Sequence, residues 1–357
     1  MTGPRLALAC LAGLAFSALW YGPALASSTA IGVNDFLNFY TAGKLAGSGQ
    51  LYHPPTFIAT EARVTGYSTE NLIFVRLPWQ AALLWPLARL PYPAAYWLWQ
   101  ILCLAALLAA LAIWPHNSPQ TKLLAAAWSF PLFTSLAVAQ DVPFLLLAIA
   151  VAVRLHKTHP LATGIALALC AAKVHLLWLF VLLFLNWRNK RQLTGFFGCG
   201  ASLIVLCFLA GTPNWIPQFL GALKFCEAHE AVALMPNLHR IFLAIPPLEL
   251  AAALAVIAAV FYIATRNRIL GAASALAAGI LTGRHDFIAD TALLLPAISL
   301  TANQIPDARK PLLLLLTPLA YLPIFLGQPL APTLLFLALI GGVAFYCARR
   351  QISRAQA

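Results

Sequence analysis

An aspartate stands where the chain leaves its first long apolar stretch, in the sequence IGVNDFLNFYTAGKLAGSGQLYHPP of residues 31–55. Acidic residues are rare, since Asp and Glu make up only 10 of the 357 residues. Asn34 and Asp35 together fit a helix cap, in which side chains satisfy the free N–H groups of the first turn. Asp35 also fits a general base, because a partly dry surrounding raises the basicity of a carboxylate. The residues alone leave both roles open, and Asp35 is the candidate catalytic residue.

A lysine interrupts the apolar run LALCAAKVHLLWLF. An ammonium group in hydrocarbon is costly unless it meets water or a counter-charge, so Lys173 is a candidate functional residue. His175 lies two positions further on and joins Lys173 if the helix breaks there. The two cationic groups would then suit a phosphate. A hydrogen-bonded histidine of the core is the alternative for His175.

The sequence TGRHDFIADTALLLP brings four polar residues to the start of a late apolar segment. An adjacent pair, Arg284 and His285, suits an anionic head group and gives two more candidate phosphate-binding residues. Asp286 and Asp290 are plausible helix caps at the same place. The segment therefore predicts either an anion site or an ordinary helix start.

Two further segments carry polar side chains at turns or loops. The sequence AQDVP contains a tight turn whose polar residues are ordinary turn formers or reach a substrate. The sequence CEAHEAVALMPNLHRIF belongs to a long loop that we expect to cover the site or touch the substrate. The candidate substrate-binding residues are Tyr40, Gln140, Asp141, Asn237, His239 and Arg240.

The composition is that of a membrane protein with many spans. Hydrophobic residues make up 62% of the chain, charged residues 9%, and the mean hydropathy is +0.83. Soluble globular proteins have about 45–50% apolar and about 25% charged residues. The net charge of +12 is dispersed between apolar runs, as in cytoplasmic loops, so we exclude nucleic acid as a partner. Motifs for nucleotides and for structural zinc are absent, so no cofactor is expected and a divalent metal has no support.

The apolar windows predict ten membrane spans and one ambiguous pair of segments. The spans lie near 6–26, 93–114, 122–139, 142–157, 194–212, 242–263, 268–282, 290–303, 311–327 and 330–348. With the N-terminus in the cytoplasm, 14 of the 22 basic residues fall on the inner side. The first span also imitates a signal peptide that ends in ALASS; we interpret it as a retained helix, and cleavage as a signal peptide is the alternative.

The ambiguous pair covers 160–187. Basic residues flank it at 154–157 and 188–191, and both groups lie inside only if the chain goes in and returns. Two segments of about 12 residues reach about 18 Å each, so they would form a broken or re-entrant hairpin with Lys173 near its tip. A single straight span is the alternative and would reverse everything downstream. We therefore predict an all-α protein with about twelve membrane segments and both termini inside.

Two outer segments, 27–92 and 213–241, are too long for simple connections in the single membrane domain of residues 1–357. In the first, Phe36, Phe39 and Tyr40 share one helical face, and Trp79 and Trp85 occupy interfacial positions. Both parts predict helices that lie along the membrane surface.

The sequence predicts one candidate base and several cationic side chains on the outer side of the membrane. These groups suit a reaction in which a membrane-bound phosphate is the leaving group. Sugar transfer from a polyprenyl phosphate to a hydroxyl acceptor is such a reaction, with the cations on the phosphate and the base on the acceptor. A transporter or flippase for a lipid-linked or small polar substrate is the alternative from another class. Transporters carry polar groups near the midplane, whereas most acidic residues here lie at outer ends, which favours the enzyme.

The chain also resembles a known family over nearly its whole length. The similarity rests on NDFLNFYTAGKLAGSGQLY, LPWQAALLWPLARLPYPAAYWLW, AVAQDVPFLLLA, the Lys173 hairpin, MPNLHRI and RHDFIADTALLLPA, in this order. These segments resemble the bacterial glycosyltransferases of family 87, also called the domain of unknown function 2029 family. It is a branch of the GT-C superfamily that includes polyprenyl-phosphate-mannose-dependent mannosyltransferases.

The resemblance implies an inverting transfer of mannose or another hexose or pentose to a lipid or glycan acceptor, with Asp35 as base. It places donor-phosphate contacts on Lys173 and on Arg284 or His285, and the site on the outer face of the bacterial cytoplasmic membrane. Two departures concern the donor: the family's Lys-Pro-Gln-like hairpin has Val174 and His175 after the lysine, and its Tyr-Pro is replaced by Leu77-Pro78.

Overall fold

The computed structural model describes residues 3–21, 26, 33–66, 73–229, 232–306, 309–326 and 330–355. Within these ranges every regular element is a helix and no strand occurs, which confirms the predicted all-α class. The first eleven helices are α1 (Gly3–Tyr21), α2 (Asp35–Leu45), α3 (Pro54–Thr65), α4 (Pro78–Ala88), α5 (Tyr92–Ile113), α6 (Pro119–Ala127), α7 (Phe130–Ala137), α8 (Val142–Leu155), α9 (Pro160–Leu169), α10 (Val174–Phe184) and α11 (Lys190–Gly211).

The remaining helices follow the same pattern of long and short elements. They are α12 (Trp215–Glu227), α13 (Leu238–Phe242), α14 (Pro246–Arg266), α15 (Arg268–Thr282), α16 (Leu294–Gln304), α17 (Arg309–Leu314), α18 (Pro318–Phe325) and α19 (Leu330–Ala355). Short 3₁₀ helices cover Cys170–Lys173, Val232–Leu234 and Ile288–Leu293.

Six stretches of the described residues are long and apolar enough to cross a membrane. Five are the single helices α1, α5, α11, α14 and the part of α19 from Leu330 to Arg350, and the sixth is the stretch Pro160–Phe184. Helices α8 and α15 are apolar but shorter. The chain is thus a helical protein with several helices suited to a membrane, and the count of about twelve segments stays a prediction.

The stretch Pro160–Phe184 turns back on itself. A straight helix of 25 residues would hold its ends about 37 Å apart. Instead, the ring of His156, four residues before Pro160, lies 5.6 Å from the ring of Phe184. The turn is the 3₁₀ helix that ends at Lys173, whose φ of −132° and ψ of 63° interrupt the helical path. The predicted broken hairpin with Lys173 at its tip is confirmed.

Small residues fix each arm of the hairpin against a different neighbour. Arm α9 packs on α11, where a Cβ on Gly164 would collide with the carbonyl of Gln192 and a Cβ on Gly195 with that of Leu161. Arm α10 packs on α15, where Gly279 lies against the carbonyl of Leu176. Such close backbone contact is typical of helix packing in membranes.

The prediction of surface helices is wrong for α2. The helix forms where expected, but Phe36, Phe39 and Tyr40 are all buried. Phe36 stacks on Trp99 of α5 at 5.7 Å, so protein rather than lipid covers the aromatic face. The physical reason is that α5 offers aromatic rings at matching spacing, which pack more closely than lipid chains.

Helix α4 fits the prediction only in part. Trp79 is buried, while Trp85 is 45% exposed with the Arg89 guanidinium 3.7 Å from its ring. Trp85 therefore keeps an interfacial position, and Trp79 belongs to the interior beside α11.

Candidate active site

Asp35 is the first residue of α2, and it does not cap the helix. Asn34 occupies the cap position, where its side-chain oxygen accepts a hydrogen bond from the N–H of Phe36 at 3.1 Å. The Asp35 N–H donates instead to the carbonyl of Val138 at 3.2 Å. Asn34 therefore caps the helix, and the Asp35 carboxylate is available for another partner.

That partner lies in the tight turn between α7 and α8. Ala139 in this turn has a φ of 59°, a left-handed conformation that costs a non-glycine residue energy. The surroundings hold it there, since the Trp99 indole N–H donates to the Ala139 carbonyl at 2.9 Å. The Gln140 N–H donates to the Ser135 carbonyl at 2.8 Å. The turn therefore presents the Gln140 side chain from a fixed backbone.

Gln140 joins the carboxylate to two cations. Its amide Nε2 donates a short hydrogen bond to Oδ2 of Asp35. Its Oε1 accepts from Nη2 of Arg76 at 2.9 Å and from Nζ of Lys173 at 3.1 Å. One amide therefore links the candidate base to both positive groups.

Each cation also contacts a carboxylate. Arg76 Nη1 lies 2.6 Å from Oδ2 of Asp141, and the guanidinium stands over the Phe39 ring. Lys173, only 4% exposed, donates to Oδ1 of Asp290 in a short contact and lies 3.8 Å from Oδ1 of Asp141. These carboxylates supply the counter-charges that a lysine in an apolar setting requires. We call Asp35, Arg76, Gln140, Asp141, Lys173 and Asp290 the charged cluster.

Burial is the main influence on the protonation of Asp35. It raises the pKa of Asp35 above the ordinary value of 3.8, because an ionised carboxylate loses hydration there. The Gln140 hydrogen bond, followed by the charges of Lys173 and Arg76, lowers that pKa in part. The result is a carboxylate that is more basic than a solvated aspartate, as a general base requires.

An apolar cavity of about 790 Å³ opens beside the charged cluster. Residues of α4, α5, α8 and α9 line it, and most of them are aliphatic or aromatic. Asp141 is its one charged lining residue, and Gln80, whose Nε2 donates to the Ala172 carbonyl at 2.9 Å, is a polar neighbour. Leu83 and Ile165 on its walls are exposed, so the cavity reaches an apolar part of the protein surface. The geometry suits a molecule with a charged head and an apolar tail.

Metal coordination has no evident place in the described residues. No group of three or more His, Cys, Asp and Glu side chains is arranged there to hold an ion. Inside the charged cluster, Arg76 and Lys173 occupy the space between the carboxylates.

The model of one protein family, described as glycosyltransferase family 87, matches residues 77–296. This is more than half of the chain. The chain belongs to glycosyltransferase family 87. No curated protein and no solved structure matches it.

Membership in family 87 makes the protein a glycosyltransferase and removes the transporter hypothesis. The matched region contains the turn with Gln140 and Asp141, the hairpin tip with Lys173, and Asp290. Asp35 and Arg76 precede it, so their assignment to the site of this glycosyltransferase rests on the geometry.

Two members of the cluster were missed in the sequence. Arg76 stands between apolar residues on the predicted outer side, where the positive-inside rule makes a basic residue the exception, and that was the available signal. Asp290 was assigned only a possible helix cap. It does accept from the N–H of Phe287 at 3.1 Å, but its other oxygen holds Lys173.

Arg284, His175 and His285 are the other predicted phosphate ligands of the glycosyltransferase. The Arg284 side chain is 62% exposed, and its guanidinium lies 3.7 Å from the carboxylates of Glu227 and Glu249. His175 Nε2 meets the His285 carbonyl at 3.0 Å. The structure thus brings Lys173 to Asp35 and places His175 within electrostatic reach of Lys173, Asp290 and Arg76, whereas Arg284 lies at the surface beside two glutamates.

Of the predicted substrate residues in residues 213–241, Asn237 contacts the chain just before Asp290. Asn237 donates to Asp286 and to the Gly283 carbonyl, the latter at 2.9 Å. His239 pairs with Glu249 at 3.0 Å, and Arg240 has a buried Nε with no hydrogen-bond partner among the described residues.

Tyr40, also predicted to bind substrate, is buried and donates its hydroxyl to the Leu90 carbonyl at 2.6 Å. Its ring packs edge-on against Tyr92 at 5.1 Å, so the side chain belongs to the aromatic core under α5. The structure gives Tyr40 no open position from which to reach a substrate.

Proposed function

We propose that this glycosyltransferase moves a sugar from a polyprenyl phosphate to a hydroxyl acceptor, with inversion at the anomeric carbon. The main support for this proposal is the charged cluster, in which the Gln140 amide forms hydrogen bonds with Asp35, Arg76 and Lys173. A hydroxyl acceptor needs a base and a departing phosphate needs cations. Both requirements are met by side chains that share one amide.

The chemistry follows from the positions. Asp35 accepts the proton of the acceptor hydroxyl, whose oxygen bonds to the anomeric carbon on the face opposite the phosphate. The bond from that carbon to the phosphate oxygen breaks, and the oxygen keeps the electron pair. A singly charged phosphodiester thus becomes a monoester with a second negative charge, which Arg76 and Lys173 stabilise. Arg76 suits this role because its Nε–H donates to none of the described residues.

The apolar cavity supports a lipid-linked donor. A sugar nucleotide has no apolar part to cover Leu83, Leu102 or Leu169, whereas a polyprenyl chain covers such a wall and gains free energy by doing so. Asp141 stands in the lining, so the charged head of the same molecule would meet the cluster. The transferred sugar is mannose or another hexose or pentose, and the acceptor is a lipid or a glycan.

The orientation is part of the proposal. We place about twelve segments in the bacterial cytoplasmic membrane, both termini inside and the charged cluster toward the outside. The support is that this orientation puts 14 of the 22 basic residues on the inner side, as the positive-inside rule expects.

The test uses the purified enzyme in vesicles with a membrane extract as acceptor source. Radiolabelled mannose on a polyprenyl phosphate, an arabinose counterpart and the matching sugar nucleotides are compared as donors. We expect transfer from at least one lipid-linked sugar and a product of inverted anomeric configuration by nuclear magnetic resonance. Transfer from a sugar nucleotide alone, or retention of configuration, would overturn the proposal.

A further inference from the structure

We infer that Gln140 is a positioning residue that orients Asp35 and links it to the two cations, and not a ligand of the substrate. The inference rests on the proposed role of Asp35 as base. It replaces the prediction from the sequence that Gln140 binds substrate, because its amide is already committed inside the protein.

The three hydrogen bonds require a glutamine. Oε1 uses both of its lone pairs, one for Arg76 at 2.9 Å and one for Lys173 at 3.1 Å. Nε2 donates to Asp35, an acceptor, which fixes the amide in one orientation. A carboxylate could serve the cations but not Asp35, and an apolar side chain could serve neither.

The contact also selects which oxygen of Asp35 can react. Oδ2 is held by Gln140, while Oδ1 has no hydrogen bond to any residue in the described part of the chain. The acceptor hydroxyl therefore meets Oδ1, at a direction set by Gln140. Because the hydrogen bond favours the ionised carboxylate, it also keeps Asp35 in its working form to lower pH.

Gln140 acts among several charges that its replacement leaves in place. Arg76, Lys173 and Asp290 are the charged groups that influence Asp35, and Asp141 is next to Gln140 in the chain. The helices packed on α2 add further titratable groups, which are Glu61 on α3 and Tyr92 and Tyr96 on α5. A change in the protonation of Asp35 in a Gln140→Met variant therefore reports the lost hydrogen bond.

The experiment measures kcat and KM for the lipid-linked donor from acid to neutral pH. Gln140→Met keeps the length of the side chain and removes both functions. On the acid side of the pH profile, kcat/KM falls as Asp35 becomes protonated. We expect the pH of this fall, the acid limb, to be about one unit higher in Gln140→Met than in the wild type. The donor KM rises roughly tenfold, because Arg76 and Lys173 lose their common acceptor.

A second variant separates the two halves of the role. Gln140→Glu is nearly isosteric and still accepts from the cations, so the donor KM stays close to that of the wild type. Its carboxylate next to Asp35 moves the acid limb higher than in Gln140→Met, since like charges disfavour ionisation. This variant keeps the inference testable if Gln140→Met does not fold.

Gln100→Met is the matched control. Gln100 donates to the hydroxyl of Tyr96 and the carbonyl of Leu136, both at 3.1 Å, and does not contact the charged cluster. We expect its acid limb at the wild-type pH. If both Gln140 variants lose activity equally at every pH, with the limb unmoved, the inference is overturned. An Asp35→Asn enzyme that remains active would instead overturn the proposed base, so the two failures are distinguishable.

Discussion

At the scale of single residues, the site depends on how charge is kept inside an apolar protein. Lys173 alone at the hairpin tip would be unstable in its charged form, and Asp290 and Gln140 make that position possible. Asp35 differs from Lys173 in that the side chain hydrogen-bonded to it is a neutral amide, that of Gln140. The lysine is thus paired with a carboxylate, while the Asp35 carboxylate is paired with an amide.

Asp35→Asn removes the base and nearly keeps the shape. We expect the transfer rate to fall at least about 100-fold, since a general base contributes about that much or more. In the wild type the rate falls as pH drops through the pKa of Asp35, because only the ionised form accepts a proton. Burial raises that pKa above 3.8, so the fall begins at a higher pH than for a solvated aspartate.

The measurement is the initial rate of sugar transfer against pH in vesicles. Glu227→Gln is the control, because Glu227 is an exposed carboxylate that contacts only Arg284 among the charged described residues. It should keep most of the activity. Wild-type rates in Asp35→Asn would remove Asp35 from the mechanism.

At the scale of elements, the hairpin carries Lys173 to the site, and its arms are placed by glycines. Gly195 and Gly198 both lie on α11, but only Gly195 touches another backbone, at Leu161 of α9. A Cβ on Gly198 would meet nothing within 4 Å. Alanine at Gly198 therefore changes only helix propensity, whereas alanine at Gly195 also changes the packing of α11 on α9.

Gly195→Ala should lower the free energy of unfolding by about 1–3 kcal/mol, since overpacking forces the two helices apart. It should also raise the donor KM, because α9 leads directly to Lys173. Gly198→Ala should leave both quantities unchanged or stabilise slightly. Thermal unfolding in detergent and donor titrations measure the two effects. Equal behaviour of the two variants would mean that the close contact does not position the hairpin.

Sequence reasoning succeeded where the signal is local. The apolar setting of Lys173 predicted that it meets water or a counter-charge, which Asp290 supplies, and the basic residues on either side predicted the hairpin. Arg76 was missed because its partners, Gln140 and Asp141, are 64 and 65 positions away, and no periodicity encodes such a contact. The sequence could not predict that α2 is buried, since an apolar helical face has the same residue pattern whether it contacts lipid or protein.

At the scale of the whole molecule, the proposed orientation places α3 outside and the loop after α8 inside. Arg63 on α3 and Lys157 after α8 are both exposed. In intact cells, an impermeant thiol reagent should label Arg63→Cys, whereas Lys157→Cys should react only after permeabilisation. The reverse pattern would invert the topology and place the charged cluster inside.

The short elements around the cluster fix its depth. Helix α8 has 14 residues and the hairpin arms have 10 and 11, so they extend about 15–21 Å, whereas the hydrocarbon layer is about 30 Å thick. Their far ends meet where His156 contacts Phe184. In the proposed orientation, with these far ends at the inner boundary, the charged cluster would lie about 9–15 Å below the outer boundary of the hydrocarbon. The proposed donor phosphate would then have to leave the headgroup layer and descend to react, and the acceptor would have to reach down to it from the water.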